Sequence, residues 1–225
     1  GSITSSVRAN QTAGFSIVGW DYDGTTGQYT VGHGLNTAPS AIIVRPREIT
    51  SNWGFYHSAL GNTTGVNFNQ NAATNTNTGY WNNTSPTNSV FTLSTFFDDD
   101  STYIAYCFAP VAGFSAFSSF EANGAVDGPF VYTGFRPALI IYKNITDTEN
   151  WLMIDSTRDP YNPLDTHLHP NLPNGDSDAS PPWADFLSNG FKLRNLYNET
   201  NGSGDTILYM AWAENPFQAN GGLAR

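Results

Sequence analysis

The chain has 225 residues, 39% of them hydrophobic and 14% aromatic, but only 12% charged, with a net charge of -10. That is enough apolar material for one large β domain or two small ones. The negative field repels nucleic-acid backbones and anionic lipid surfaces, which excludes both as partners.

No apolar run approaches the ~18 residues that a membrane helix needs, so no membrane insertion is expected. The opening GSITSSVRAN lacks the charged and apolar regions of a signal peptide, and Gly1-Ser2 reads as a cloning remnant. In chain order, FSIVGW (15–20), SAIIVR (40–45), WGFYHS (53–58), VFTLST (90–95) and TYIAYCFA (102–109) are rich in β-branched and aromatic residues. Clusters of Gly, Pro, Asn and Asp separate them, a pattern that predicts short strands and turns. Helical periodicity over ten or more residues is absent. The best helical candidate is SPPWADFL (180–187), with Ser180 as cap and Pro181 in the first turn. Cys107, the single cysteine, lies in an apolar strand and reads as a buried, inert thiol.

The chain says much of this twice. PSAIIVRPREITSNW (39–53) aligns without a gap on PALIIYKNITDTENW (137–151), matching Pro39/Pro137, Ile42/Ile140, Ile43/Ile141, Thr50/Thr148, Asn52/Asn150 and Trp53/Trp151. Arg45 pairs with Lys143 in the same register. Gly14-Phe15-Ser16 recurs as Gly113-Phe114-Ser115, Gly24 and Gly34 as Gly124 and Gly134, and VFTL (90–93) as GFKL (190–193). A repeat of about 100 residues is a duplicated domain-sized unit, not a solenoid. The expected fold is all-β: two tandem, pseudo-symmetric antiparallel β-sandwich units packed together, with repeats at 1–112 and 113–225. AIIV (41–44) and the last strand of each unit are apolar at odd and even positions alike, so a second face must be covered.

These residues resemble a known family. GFSIVGW, YTVGHGLNTAPSAIIV, VFTL and TYIAYCF, then DGPFVYTGFRPALIIYK, STRDPYN, DFLSNGFKLR and AENPF, are similar to a duplicated C-terminal module of tail-fibre and other virion structural proteins of tailed, notably marine, bacteriophages. The resemblance runs from about residue 14 to 218. It implies a β-rich virion protein of the host-recognition apparatus, exposed outside the host cell, with other tail subunits as partners and a homotrimer as a candidate assembly. It carries no catalytic residues and no cofactor.

Function is then sought where the repeat fails, since loops tolerate divergence and carry recognition. Two stretches stand out: 62–88, with nine Asn and seven Thr, and the proline-rich 157–186. A sugar site needs an aromatic face flanked by amides and carboxylates. Trp81 with Asn82 and Asn83, and Tyr161 or Trp183 with Asn162 and Asp185, supply those groups, so a host cell-surface glycan is the expected ligand. The duplicated Trp53 and Trp151 read instead as anchors of the scaffold. Metal signals are weak: Asp21-Tyr22-Asp23-Gly24 only begins a calcium loop, and Asp98-Asp99-Asp100 reads as an edge-protecting charged turn. His167 and His169 would share a strand face but need a third ligand to hold zinc. No nucleophile, phosphate-loop or metalloprotease motif is present, so no enzymatic activity is expected.

Overall fold

A computed structural model describes residues 1–25 and 27–215. The first half holds β1 (Ser6–Asn10), β2 (Phe15–Tyr22), β3 (Tyr29–Gly32), β4 (Ala41–Pro46), β5 (Gly54–His57), β6 (Thr64–Asn67), β7 (Asn75–Thr76), β8 (Val90–Leu93) and β9 (Ser101–Phe108). The second half holds β10 (Ser115–Glu121), β11 (Phe130–Tyr132), β12 (Pro137–Asn144), β13 (Leu152–Asp155), β14 (Thr166–His167), β15 (Ser177–Asp178), β16 (Ala184–Leu187), β17 (Gly190–Leu193), the one-turn α1 (Asn198–Asn201) and β18 (Thr206–Ala213). The chain is an all-β protein of antiparallel sheets. It divides into two compact units, Gly1–Phe68 with Thr74–Pro110, and Asn69–Ala73 with the chain from Val111 onward.

In unit 1 the sheet order is β1-β2-β9-β4-β5-β6-β7, with β3-β8 as a second sheet. Strand alternation decides which face is inside: Ser16, Val18, Trp20 and Tyr22 of β2 are buried, while Ile17 and Asp21 face out. Val18, Ile42, Val44, Ala105 and Cys107 of the large sheet then meet Val31, Phe91 and Leu93 of the small one in a single core. Burial in that core pushes the Cys107 thiol up to about 12, which leaves it unreactive.

Unit 2 repeats the plan with β10-β18-β12-β13 against β11-β17-β16, plus the small β14-β15 ribbon. Ile140, Tyr142, Ile154, Tyr209 and Ala211 pack against Val131, Phe186, Phe191 and Leu193. The ladders agree residue for residue. Ile42 lies opposite Tyr56 and Cys107, and Ile140 opposite Ile154 and Ala211. Val31 pairs with Phe91 as Val131 pairs with Phe191. Both faces of β18 are covered from Ile207 to Ala211, as its unbroken apolar run requires, whereas β9 alternates buried with half-buried side chains.

Two expectations need correction. SPPWADFL does not form a helix: Ala184–Leu187 is strand β16, paired along β17. Buried Ala184, Asp185 and Phe186 find more cover and more backbone partners in a ladder than in an isolated turn, and tertiary pairing overrides local propensity. The match of Gly14-Phe15-Ser16 to Gly113-Phe114-Ser115 is out of step with the sheets. Ala109 N–H donates to Gly14 O, but Ala213 N–H donates to Phe114 O. Ser16 faces Cys107, and its structural counterpart facing Ala211 is Ala116. One inserted residue turns the strand over, so Phe117 leaves the core side and Ala116 and Phe120 enter it.

The Arg45/Lys143 pair has also diverged. Arg45 lies over the Trp53 ring at 4.4 Å. Lys143 is fully buried, and its ammonium donates to three backbone carbonyls: Asn71 (3.1 Å), Asn144 (2.8 Å) and Glu149 (2.8 Å). Burial lowers its pKa to about 8.

Candidate functional site

Trp81 closes a tight turn. Asn82 N–H donates to Thr78 O, and Asn82 and Asn83 both sit at φ +50°, a left-handed conformation that asparagine tolerates better than most residues. The turn drives the indole into unit 1 against Tyr56 and Phe97, where only 1% of Trp81 is exposed. Trp81 offers no open face to a sugar, and its two asparagines are explained by backbone geometry; this corrects the expected first site.

Trp183 is likewise a core residue, 3% exposed and packed against His167 and Tyr197. Its N–H donates to Leu164 O, and its carbonyl accepts from Arg194 N and Asn195 Nδ2, so the ring is held inward. It too is corrected as a stacking platform. The other residues of that stretch gather along β16. Asn162 acts as a strand substitute on its free edge: Nδ2 donates to Phe186 O at 2.9 Å, and Oδ1 accepts from Phe186 N at 2.9 Å. Asp185 projects from β16 and grips Arg194 through Nε (2.6 Å) and one terminal nitrogen (2.5 Å). Tyr161 stands 83% exposed beside Asn162.

Beside this pair lies a groove of about 490 Å³. Val126, Pro163, Pro181 and Pro182 give it apolar walls, and Asp127, Asp185 and Arg194 give it polar ones. Lys192 Nζ bonds Asp127 at 2.8 Å and Gly128 O at 2.7 Å, and Arg194 comes within 3.9 Å of Asp127. The Lys192 hydrogen bond, more than its charge, holds the Asp127 carboxyl below its ordinary pKa. Two carboxylates and two cations therefore balance at this surface.

The surface continues across the outer side of β11-β17-β16. Phe130 lies opposite Lys192, and Lys192 opposite Asp185, so the three share one face. Phe130 is 46% exposed and Tyr132, two residues on, 67% exposed, while Val131 between them is buried. Sequence reasoning passed over Phe130, Tyr132, Lys192 and Arg194. The aromatic–aliphatic–aromatic alternation of FVY was the available signal, since one face of a three-residue strand had to be inside.

The weak metal signals resolve differently. Asp21, Asp23 and Asp100 line one groove of about 550 Å³ in unit 1, yet among the described residues no three His, Cys, Asp or Glu side chains are placed to hold a metal ion. His167 and His169 do adjoin, with ring centroids 4.9 Å apart. His169 is engaged through Nδ1 with Trp151 O at 2.9 Å, and His167 through Nε2 with Ser177 Oγ at 3.3 Å. Burial, then the neighbouring His169, lowers the His167 pKa.

Fold and surface together define a duplicated antiparallel β-sandwich protein with a charge-balanced, proline-walled groove on its second unit. Residues 1–216 match the family described as a domain of unknown function, DUF7483, and the chain belongs to it. No curated protein and no solved structure matches the chain.

Proposed function

We propose that this protein is a receptor-binding module of a tailed-phage virion, and that unit 2 binds a neutral host-surface glycan. The motif likeness to phage tail proteins supports the setting. The observation that carries the ligand is the Asp185–Arg194 pair set between proline walls and continuous with exposed Phe130 and Tyr132. A carboxylate beside a guanidinium offers an acceptor and donors side by side, which suits neighbouring sugar hydroxyls; the ring and proline faces suit the apolar side of a pyranose. Balanced local charge and a net charge of -10 favour neutral over anionic polymers.

Both carboxylates of the groove, Asp127 and Asp185, are engaged by cations. Neither is set up as a proton donor to a leaving group, so binding without cleavage is the reading. A glycan array on multivalently displayed protein tests it, with incubation of host polysaccharide to look for new reducing ends. Wild type should bind, and Arg194→Lys and Tyr132→Ala, each shown to be folded, should bind about 10-fold more weakly. Silence across the array, or full binding by both variants, refutes the site. Silence would favour a passive virion spacer, and reproducible cleavage would favour a depolymerase.

A further inference from the structure

Four Asn–Gly steps lie among the described residues: Asn123–Gly124, Asn174–Gly175, Asn189–Gly190 and Asn201–Gly202; Asn220–Gly221 lies outside them. At such a step the glycine nitrogen, with no Cβ beside it, can approach the asparagine side chain. Three of the four are held. Asn123 Oδ1 accepts from Ala125 N at 3.1 Å, and its Nδ2 donates to Asp127 O at 3.2 Å. Asn201 is fully buried; its Oδ1 accepts from Asn123 N, and its Nδ2 donates to Ala125 O and Asn195 O. Asn189 is exposed, but the nitrogen that would attack it belongs to Gly190, buried in β17 and paired with both Leu187 and Tyr132. The Asn189 carbonyl also accepts from Thr133 and Gly134. Asn174–Gly175 is different. Both residues are exposed and lie between Pro173 and β15, outside any strand, helix or turn. Neither makes a hydrogen bond among the described residues, and a methyl group on Gly175 Cα would meet nothing within 4 Å.

We infer that Asn174–Gly175 is a spontaneous modification site, at which the folded chain converts asparagine to isoaspartate and aspartate. Gly175 N gives up its proton and attacks Asn174 Cγ. The N–Cγ bond forms, the Cγ–Nδ2 bond breaks, and ammonia leaves with that proton, closing a succinimide ring. Water then opens the ring: attack at the backbone carbonyl yields isoaspartate, and attack at the side-chain carbonyl yields aspartate. Water is the only co-reactant. Closing the ring needs the Asn174 side chain and the next peptide to rotate together, which is easy where neither is bonded and requires local opening where they are. The product carries a new carboxylate two residues before Asp176, whose own carboxylate lies 3.5 Å from Arg158 Nε. Isoaspartate also adds a methylene to the backbone ahead of β15, so ageing of the chain acts on the β14–β15 ribbon.

Peptide mapping by mass spectrometry after incubation at mildly alkaline pH tests this, on protein kept folded and, in parallel, on protein unfolded in guanidinium chloride. In the folded chain Asn174 should convert about 10-fold faster than Asn123, Asn189 or Asn201, since each of those must first open local structure. In the unfolded chain that lead should vanish. Gly175→Ala places a Cβ beside the attacking nitrogen without a clash, and should slow conversion at Asn174 severalfold in the folded chain. An Asn174 that stays intact in the folded chain, or a lead that persists undiminished on unfolding, would overturn the inference. So would equally fast conversion at any of the other three in the folded chain, or a Gly175→Ala variant that converts as fast as wild type.

Discussion

Ile42 and Ile140 hold the same position in two separate ladders, each at the centre of three antiparallel strands and each fully closed to solvent. Equivalent packing implies equivalent cost. Ile42→Ala and Ile140→Ala should each destabilise the unit that contains it by about 2–5 kcal/mol, from lost transfer energy plus the cavity left behind. Urea unfolding followed by circular dichroism measures both; a negligible effect at either site would break the equivalence.

Trp81 and Trp183 should behave as core residues. Replacement by alanine should cost about 3–5 kcal/mol each, and acrylamide should quench both indoles poorly, as read in variants that retain one tryptophan at a time. Efficient quenching, or alanine variants as stable as wild type, would place these rings at the surface.

Lys143→Met should also destabilise, by about 3 kcal/mol. The methionine keeps most of the volume but leaves the carbonyls of Asn71, Asn144 and Glu149 without their shared donor. Thermal unfolding of the variant against wild type at neutral pH is the measurement, and a neutral effect would mean that the carbonyls find other donors.

Acid should weaken the fold through its buried histidines. Leu35 N–H donates to His33 Nδ1, and Nε2 faces Thr87 O, so the neutral ring is satisfied at both nitrogens and a second proton would oppose Leu35. Burial lowers the pKa of His33 and of His167. With the folded value below the unfolded value of about 6.5, the unfolded chain takes up protons first. Stability present above that value is therefore lost as pH falls below it, toward the lower folded pKa. Urea midpoints compared at neutral pH and under mild acid should fall for wild type and fall less for His33→Gln.

Much of the scaffold was legible because the repeat fixes register as well as strand content. The gapless match of 39–53 to 137–151 is the same match that the β4–β5 and β12–β13 ladders make. Where the sequence misled, the reason is physical. Gly14-Phe15-Ser16 and Gly113-Phe114-Ser115 match in letters, but an identity does not say which face a side chain takes, and one extra residue reverses it. Trp81 and Trp183 lie in segments with no period of 2 or 3.6, so nothing in the string told inside from outside. Asp185 was named without Arg194, because a pair joined across two strands has no fixed spacing. Phe130 and Tyr132 were open to the reading that was missed, since alternation about Val131 is the ordinary mark of a half-covered strand.

The segment Asn69–Ala73 belongs with unit 2, although the chain on either side of it belongs to unit 1. The backbone therefore passes from one unit to the other three times, and the boundary of the sequence repeat does not by itself divide the chain into its two units. A shuffled or truncated half beginning at Val111 would carry every strand from β10 to β18 and still lack part of its own body, including the Asn71 carbonyl that receives Lys143. The second unit therefore cannot be traded as a cassette by a single cut in the chain.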